Sequence, residues 1–263
     1  MTRPEAGASA WAALHGLRIG CVRYLNSKPL IHGYDGDLLL EHPSVLAREL
    51  AAGRLDAALV PVFEILRDPH YSIVDDVAIA CDGPVYSVIL AYRGELKAIQ
   101  RVALDPASMS SANLIRVLLA EFHGIHPEMG KAADAQLIIG NQAIEFREQH
   151  AADAGLHVLD LGEEWKRCTG LPFVFAAWAV RSDLPNLPAV ADAFRELKAN
   201  GLSHLDEVIR EDSTGTPEFR RRYLTKHIQF NLRDPEKEGL RKYRKLLYRH
   251  GLIECNEQPL RFV

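Results

Sequence analysis

The chain has 263 residues, 48% of them hydrophobic and 25% charged, which is typical of a globular protein and excludes disordered, collagen-like and disulfide-scaffold classes. Its 31 basic and 35 acidic side chains give a formal net charge of -4, which argues against a nucleic-acid partner because such domains are usually strongly basic. No stretch approaches the roughly 18 consecutive apolar residues of a membrane span. Residues 1–16 carry no apolar core of signal-peptide length. We therefore expect a cytoplasmic protein without a membrane partner, and a loose tail over 1–16.

The first part of the chain alternates short β-branched segments with amphipathic helices. We predict strands at 17–22, 56–60 and 85–92, and helices at 45–52 and 61–66. Ser44 is placed to cap the first of these helices, and Gly53 to end it.

The same alternation continues to about residue 180, and the chain is then helical from Leu187 onward. We predict strands at 101–104, 136–139, 157–161 and 173–180, and helices at 111–122 and 142–149. Thr216 followed by Pro217 marks a helix start. Strands that alternate with helices imply parallel α/β sheets.

The order of these segments predicts a two-lobed α/β fold with a ligand cleft between the lobes. Residues 17–97 together with 177–263 are expected to form lobe 1, and residues 98–176 lobe 2. The long strands at 85–92 and 173–180 are the expected crossings between the lobes. Clefts at domain interfaces and at strand carboxyl ends are the usual sites for small ligands.

Common cofactor and metal motifs are absent from the sequence. There is no dinucleotide-binding, phosphate-loop, zinc-protease or serine-hydrolase motif. His123 and His126 have ligand-like spacing, but the intervening glycine and Pro127 are typical of a loop. The cysteines are far apart and form no CxxC pair, so we expect buried free thiols. They are Cys21, Cys81, Cys168 and Cys255. We predict neither a cofactor nor a metal.

Small polar residues recur where a predicted strand ends and the next helix begins. The positions are Asn26, Ser108, Ser110, Ser111, Gly140 and Asn141. Ser87 joins them from within the predicted strand 85–92, just after Asp82-Gly83-Pro84. Helix N-termini attract carboxylates and phosphates, and hydroxyl or amide donors complete such a cradle. Each position also has a structural explanation: the serines and Asn141 can be helix caps, Asn26 can cap a turn, and Ser87 can be a satisfied buried hydroxyl. Taken together, they predict a cleft for a small anionic ligand.

The sequence shows no comparably clear pattern of residues for acid–base catalysis. Asp35, Asp56, Asp105 and Asp160 lie near strand or turn boundaries, and no carboxylate pair or histidine–carboxylate pair stands out. If the protein is an enzyme, we expect it to act mainly by positioning its substrate and by electrostatics.

Several segments resemble the chorismate dehydratases of the futalosine route of menaquinone biosynthesis. They are RIGCVRYLNSKPL (18–30), LAAGRLDAALVPVFEIL (50–66), GPVYSVIL (83–90), VALDPASMSSANLIRVLL (102–119), ADAQLIIGNQAI (133–144) and DLGEEWKRCTGLPFVFAAWAV (160–180). The spacing holds over about residues 17–250. The YLN-x-x-PL loop at 24–30 favours the dehydratases over their sister enzyme, 1,4-dihydroxy-6-naphthoate synthase.

This resemblance implies a fold like that of the type II periplasmic binding proteins. It also implies a catalytic activity. The implied reaction converts chorismate to 3-[(1-carboxyvinyl)oxy]benzoate and water, as a hydro-lyase without a cofactor. The matching segments extend the expected substrate-binding set beyond the strand-end residues. The added residues are Tyr24, Gly83, Thr169, Pro172 and Phe173.

Our mechanistic hypothesis follows from the lack of an obvious base. The enolpyruvyl carboxylate of the substrate takes the C3 proton, while Asn26 is the catalytic residue that orients this carboxylate or the leaving hydroxyl. Ser87 and the helix start at Ser110 and Ser111 would hold a carboxylate.

The sequence departs from the family pattern at two places. The usual Ser-Arg-Thr-Ser run is Ser108-Met109-Ser110-Ser111 here, so the hydroxyls remain and the arginine is absent. The usual Gly-Asp is Gly140-Asn141, which removes the carboxylate.

Three alternatives stay open at this stage. The first is an enzyme like 1,4-dihydroxy-6-naphthoate synthase, which the opening loop disfavours. The second is a non-catalytic cytosolic binding protein for a small anionic ligand, and the third is an amino-acid or thiamine-precursor binding lobe. The oligomeric state is not predicted.

Overall fold

The computed structural model describes residues 11–68, 70–104, 109–130, 133–254 and 258–263. Its strands are β1 (Ile19–Cys21), β2 (Leu38–Leu40), β3 (Ala57–Pro61), β4 (Tyr71–Cys81), β5 (Val88–Arg93), β6 (Arg101–Ala103), β7 (Glu128–Gly130), β8 (Ala135–Ile139), β9 (Leu156–Asp160), β10 (Phe173–Arg181) and β11 (Arg261–Phe262). Its α-helices are α1 (Pro43–Ala51), α2 (Val62–Arg67), α3 (Met109–Val117), α4 (Gly140–Gln149), α5 (Leu161–Thr169), α6 (Leu187–Ser203), α7 (Leu205–Glu211), α8 (Pro217–Arg222) and α9 (Asp234–Arg249).

Shorter helical segments join these elements. Ala12–Leu14, Leu25–Leu30 and Leu96–Ala98 are 3-10 helices, and Leu118–Phe122 and Tyr223–His227 are π-helical. The first of them lies in the predicted loose tail, where Leu14 is fully buried. Leu14 and the partly buried Trp11 therefore pack against the core, and residues 1–10 lie outside the described part of the chain. No helix in the described ranges is long and apolar enough to cross a membrane.

The described strands form two mixed sheets, one for each lobe. The first has the order β11-β4-β10-β3-β1-β2 and the second has the order β7-β6-β8-β5-β9. Strand β1 is parallel to β2 and β3, and β6 is parallel to β7 and β8. In contrast, β10 is antiparallel to β3 and β4, and β5 is antiparallel to β8 and β9.

The prediction of parallel sheets is therefore wrong for β5 and β10. The two strands that break the pattern, β5 and β10, are the first strands after the chain passes from one sheet to the other. A helical crossover keeps successive strands parallel when both strands belong to one sheet. The loop before β5 and the helix α5 before β10 instead carry the chain to the other sheet.

The changes of sheet also lie earlier in the chain than the predicted lobe boundaries at 97/98 and 176/177. Strand β5 pairs only within the second sheet, so residues 88–93 belong with the second lobe. Strand β10 pairs in the first sheet from Phe173 onward. The crossings therefore fall between Cys81 and Val88 and between Asp160 and Phe173.

Aromatic side chains anchor the helices of the first lobe to its sheet. Trp178 of β10 stacks on Phe194 of α6 with ring centroids 4.3 Å apart. Phe173 makes edge-to-face contacts with Trp165 of α5 and Tyr243 of α9, at 5.2 and 4.9 Å. Large buried aromatic side chains supply much of the apolar burial that stabilises such a core.

Helix α6 also supports the segment Leu25–Leu30, through a close approach at Gly201. A Cβ atom at Gly201 would lie 1.8 Å from the carbonyl oxygen of Pro29. Because that neighbour is backbone, the clash can be relieved only by moving the helix or the segment. The glycine thus permits the approach that holds this segment in place.

We expect Gly201→Ala to lower the free energy of unfolding by about 2 kcal/mol or more, the upper part of the usual cost of overpacking. Urea unfolding measures this change. Glu196→Ala, at an exposed position of the same helix, is the matched control and should unfold like the wild type. Equal stability of Gly201→Ala and wild type would contradict the close approach.

Candidate active site

A cavity that is partly open to solvent lies between the two sheets. Leu59, Ile79 and Phe175 of the first sheet contribute apolar wall on one side, and Val88 and Ile139 of the second sheet contribute it on the other. Small-molecule sites usually combine apolar walls with a few polar groups. The lining of this cavity is that of a small-ligand site.

Helices α1, α3 and α4 each begin at the wall of this cavity. Pro43 is the first residue of α1, Ser110 and Ser111 lie in the first turn of α3, and Gly140 is the first residue of α4. Helix N-termini carry partial positive charge and unpaired backbone N–H groups. Their convergence favours an anionic ligand, as the strand-end pattern predicts.

The structure brings many of the predicted site residues together around the cavity. Those that line it are Tyr24, Asn26, Ser87, Ser110, Ser111 and Gly140. They come from both lobes, and the chain segments that carry them are far apart in sequence. Ser108 and Asp105 lie outside the described residues.

Asn26 and Ser87 are joined by a residue that the sequence did not single out. The Nδ2 of Asn26 donates to the hydroxyl of Tyr223 at 3.2 Å, and that hydroxyl donates to the Oγ of Ser87 at 2.7 Å. Burial raises the pKa of Tyr223 above its usual value, so the hydroxyl keeps its proton. Among the described residues, the buried Oδ1 of Asn26 has no hydrogen-bond partner.

Ser110 ties α3 to the first lobe instead of capping its own helix. Its Oγ accepts from the backbone N–H of Phe63 at 3.1 Å, and its carbonyl oxygen accepts from the hydroxyl of Tyr243 at 2.9 Å. Helix α3 already includes Met109, one residue earlier. The interpretation of Ser110 as a helix cap is therefore wrong, because its side chain accepts from the backbone of α2 instead.

Gly140 and Asn141 have different roles in the structure. Gly140 has a φ of 61°, and a Cβ there would lie 2.8 Å from the ring of Tyr24, so the glycine admits that ring. Asn141 is not among the lining residues. Its Oδ1 accepts from the N–H of Leu25 at 3.4 Å and its Nδ2 donates to Thr214 at 3.0 Å. It joins α4 to the first lobe and does not cap the helix.

The remaining predicted site residues lie outside the cavity lining. Gly83 is in the crossing loop, with a φ of 125°. The Thr169 hydroxyl and the Pro172 carbonyl bond to Trp165, at 2.8 and 3.0 Å, and Phe173 is part of the aromatic core. Phe175 and Ala176, further along β10, line the cavity instead.

Asp160 holds the crossing loop that carries Ser87. Its carboxylate accepts from the backbone N–H groups of Val85 and Tyr86 at 3.0 and 2.7 Å, caps α5, and pairs with Arg147 at 2.9 Å. Tyr86 has a φ of 67°, which is rare for a side-chain-bearing residue, and the guanidinium of Arg147 lies 4.6 Å from its ring centroid. The position of Asp160 directly before α5 could have predicted its role as a helix cap. Its contacts with the loop at Val85 and Tyr86 join segments far apart in sequence and could not have been predicted in this way.

No cysteine or histidine is among the described residues that line the cavity. Cys21 and Cys81 are buried free thiols as predicted, and burial raises the pKa of Cys21 to about 12. Cys168 is half-buried, and Cys255 lies outside the described residues. His123 contacts Glu164 at 2.6 Å. Within the described ranges, no group of three or more His, Cys, Asp or Glu side chains could hold a metal ion.

Two α/β lobes joined by two crossing segments around such a cavity define the periplasmic-binding-protein-like class. The structure is similar to a protein from Archaeoglobus fulgidus, with a TM-score of 0.70 and 19% identity over 90% of this chain and 98% of that one. It is also similar to the periplasmic aliphatic sulphonate binding protein of Escherichia coli, with a TM-score of 0.60 and 16% identity over 91% and 94% of the two chains. These similarities confirm the predicted fold class.

Within that class, residues 17–249 match the sequence profile of the menaquinone biosynthesis family, and the chain belongs to this family. It is 32% identical over 257 residues to the chorismate dehydratase of Thermus thermophilus, covering 87% of this chain and 94% of that relative. The resemblance drawn from the sequence motifs is therefore confirmed.

Proposed function

We propose that this protein is a chorismate dehydratase: a hydro-lyase that converts chorismate to 3-[(1-carboxyvinyl)oxy]benzoate and water. The geometric observation that carries the proposal is the convergence of helix N-termini on a cavity with a largely apolar wall. Chorismate bears two carboxylates, and helix N-termini hold such groups well. The family and the dehydratase relative support this substrate over other small anions.

The reaction removes the C3 proton and the C4 hydroxyl of the ring, and the two leave as water. The product contains a benzene ring, so aromatisation supplies the driving force. Among the described residues that line the cavity there is no Asp, Glu, His, Lys or Arg. The enolpyruvyl carboxylate of the substrate is the base that we propose for the C3 proton. The protein then contributes orientation, exclusion of water and electrostatic stabilisation.

Asn26 is the residue best suited to orient the leaving group. The dianion of chorismate has one hydrogen-bond donor, its C4 hydroxyl. The buried Oδ1 of Asn26, which has no partner among the described residues, requires a donor. Pairing these two atoms places the C4 hydroxyl at a defined position. The carboxylates are then left for the hydroxyl of Ser87 and for the start of α3 at Ser110 and Ser111.

The direct test is incubation of the purified protein with chorismate, without metal or nucleotide, followed by mass spectrometry. We expect an aromatic product that is one water lighter than chorismate, formed much faster than the spontaneous products of chorismate alone. A non-catalytic binding protein would protect the substrate and leave its mass unchanged, and this result would reject the proposal. The cytoplasmic location stays a prediction that fractionation of the cells checks.

A further inference from the structure

Tyr223 lies behind the cavity wall, yet both of its hydroxyl contacts line the cavity. We infer that Tyr223 is a positioning residue for the dehydration: its hydroxyl fixes the side-chain amide of Asn26 and turns the hydroxyl proton of Ser87 into the cavity. This inference rests on the proposed function and names a residue that orients the polar groups of the site.

The direction of the hydrogen bonds determines where each proton points. The Tyr223 oxygen accepts from Asn26 Nδ2 at 3.2 Å, so its own single proton goes to Ser87 Oγ at 2.7 Å. Ser87 therefore accepts this bond and keeps its own proton to donate. Ser87 lines the cavity, so this proton can be donated to a ligand there. A carboxylate in the cavity is the acceptor that completes the chain.

The same contact determines the orientation of the Asn26 amide. Because Nδ2 is held by Tyr223, Oδ1 faces the other way and remains available to a ligand donor. An amide that lost this contact could rotate and present N–H groups in place of the oxygen. A chain of hydrogen bonds in a buried site also polarises its members, which strengthens the terminal donor.

Tyr223 is held firmly enough to act in this way. It is 1% exposed and begins the π-helical segment Tyr223–His227, a rare form that is frequent at functional sites. Its ring stacks on Phe219 with centroids 5.7 Å apart. His227 contacts the carbonyl oxygen of Pro84 at 2.9 Å, which joins this segment to the loop that carries Ser87.

The decisive variant is Tyr223→Phe, which keeps the ring and removes only the hydroxyl. We expect kcat for chorismate to fall about tenfold or more, the effect of one lost hydrogen bond that orients a reacting group. Tyr34→Phe is the matched control, because its hydroxyl bonds to the carbonyl oxygen of Leu14 at 3.2 Å, away from the cavity. The control should keep the wild-type kcat.

A double-mutant cycle with Ser87→Ala separates positioning from a merely structural role. If Tyr223 acts through Ser87, removing its hydroxyl costs less in the Ser87→Ala background than in the wild type. Equal, multiplicative effects in both backgrounds would overturn the action through Ser87.

An NMR readout keeps the inference testable apart from turnover. The side-chain amide signals of Asn26, identified by their loss in Asn26→Asp, should shift in Tyr223→Phe and stay in place in Tyr34→Phe. If the wild type does not convert chorismate, the proposed function fails, whereas the amide shift still tests the contact. If the wild type converts chorismate and Tyr223→Phe does so at the same rate, the inference is wrong and the function stands.

Discussion

Asn26→Ala is expected to lower the kcat for chorismate by about 100-fold or more, because small misplacements of a reacting group have costs of this size. The alanine removes the only buried side-chain oxygen of the described cavity lining that lacks a partner. The C4 hydroxyl would then meet no acceptor at that point, and the leaving group would lose its orientation. Steady-state kinetics on the purified variant measures the change.

Asn26→Asp separates orientation from charge. It keeps the size of the side chain and places a carboxylate in a cavity where helix N-termini attract anions. We expect this variant to raise KM strongly as well, because like charges repel the dianionic substrate. Asn200→Ala is the matched control: Asn200 also donates a side-chain bond, to His32 at 2.9 Å, but lies outside the cavity lining. Near wild-type turnover of Asn26→Ala would reject the orienting role.

Asp160→Ala is expected to lower the free energy of unfolding by about 3–5 kcal/mol, the usual cost of removing one partner of a buried ion pair. The aspartate is 4% exposed. Its loss leaves the guanidinium of Arg147 without its carboxylate and frees the N–H groups of Val85 and Tyr86. Urea unfolding measures the effect, and the kcat for chorismate should fall too because the loop carries Ser87.

An exposed aspartate provides the comparison for this variant. Asp183 pairs with Arg181 at 2.7 Å on the surface, where ion pairs contribute little. Asp183→Ala should therefore unfold at the wild-type urea concentration. The isosteric Asp160→Asn keeps part of the hydrogen bonding and should fall between Asp160→Ala and wild type. A wild-type midpoint for Asp160→Ala would mean that the crossing loop is held by other contacts.

The position of the cleft was largely predictable from local sequence. Asn26, Ser110 and Gly140 each follow a short apolar strand, and each lies at the cavity in the structure. The reason is general: ligands bind outside the carboxyl ends of the strands in open α/β sheets. What each side chain bonds to was not predictable. Ser110 bonds to α2 and Asn141 to the first lobe, and both partners are distant in sequence.

The sequence analysis predicted neither the role of Tyr223 nor the strand β4, and each was missed for a physical reason. Tyr223 is 136 residues from Ser87 and 197 from Asn26, and a tyrosine in a basic helical stretch is typical of a core contact. Strand β4 carries Asp75 and Asp76 at its middle, which interrupts its apolar pattern. Lys237 and Lys198 from the C-terminal helices pair with these carboxylates, at 2.7 and 2.9 Å.

By itself, the amino-acid sequence determined the alternation of strands and helices, the polar strand ends and the family. Those features depend on side-chain periodicity, capping and motifs, all of which are local. The tertiary structure alone decided the reversed direction of β5 and β10, the insertion of β4 into the first sheet, and the contact of Tyr223 with Asn26 and Ser87. These features depend on which distant segments pack together, because strand pairing and buried hydrogen bonds are set by neighbours and not by the segment itself.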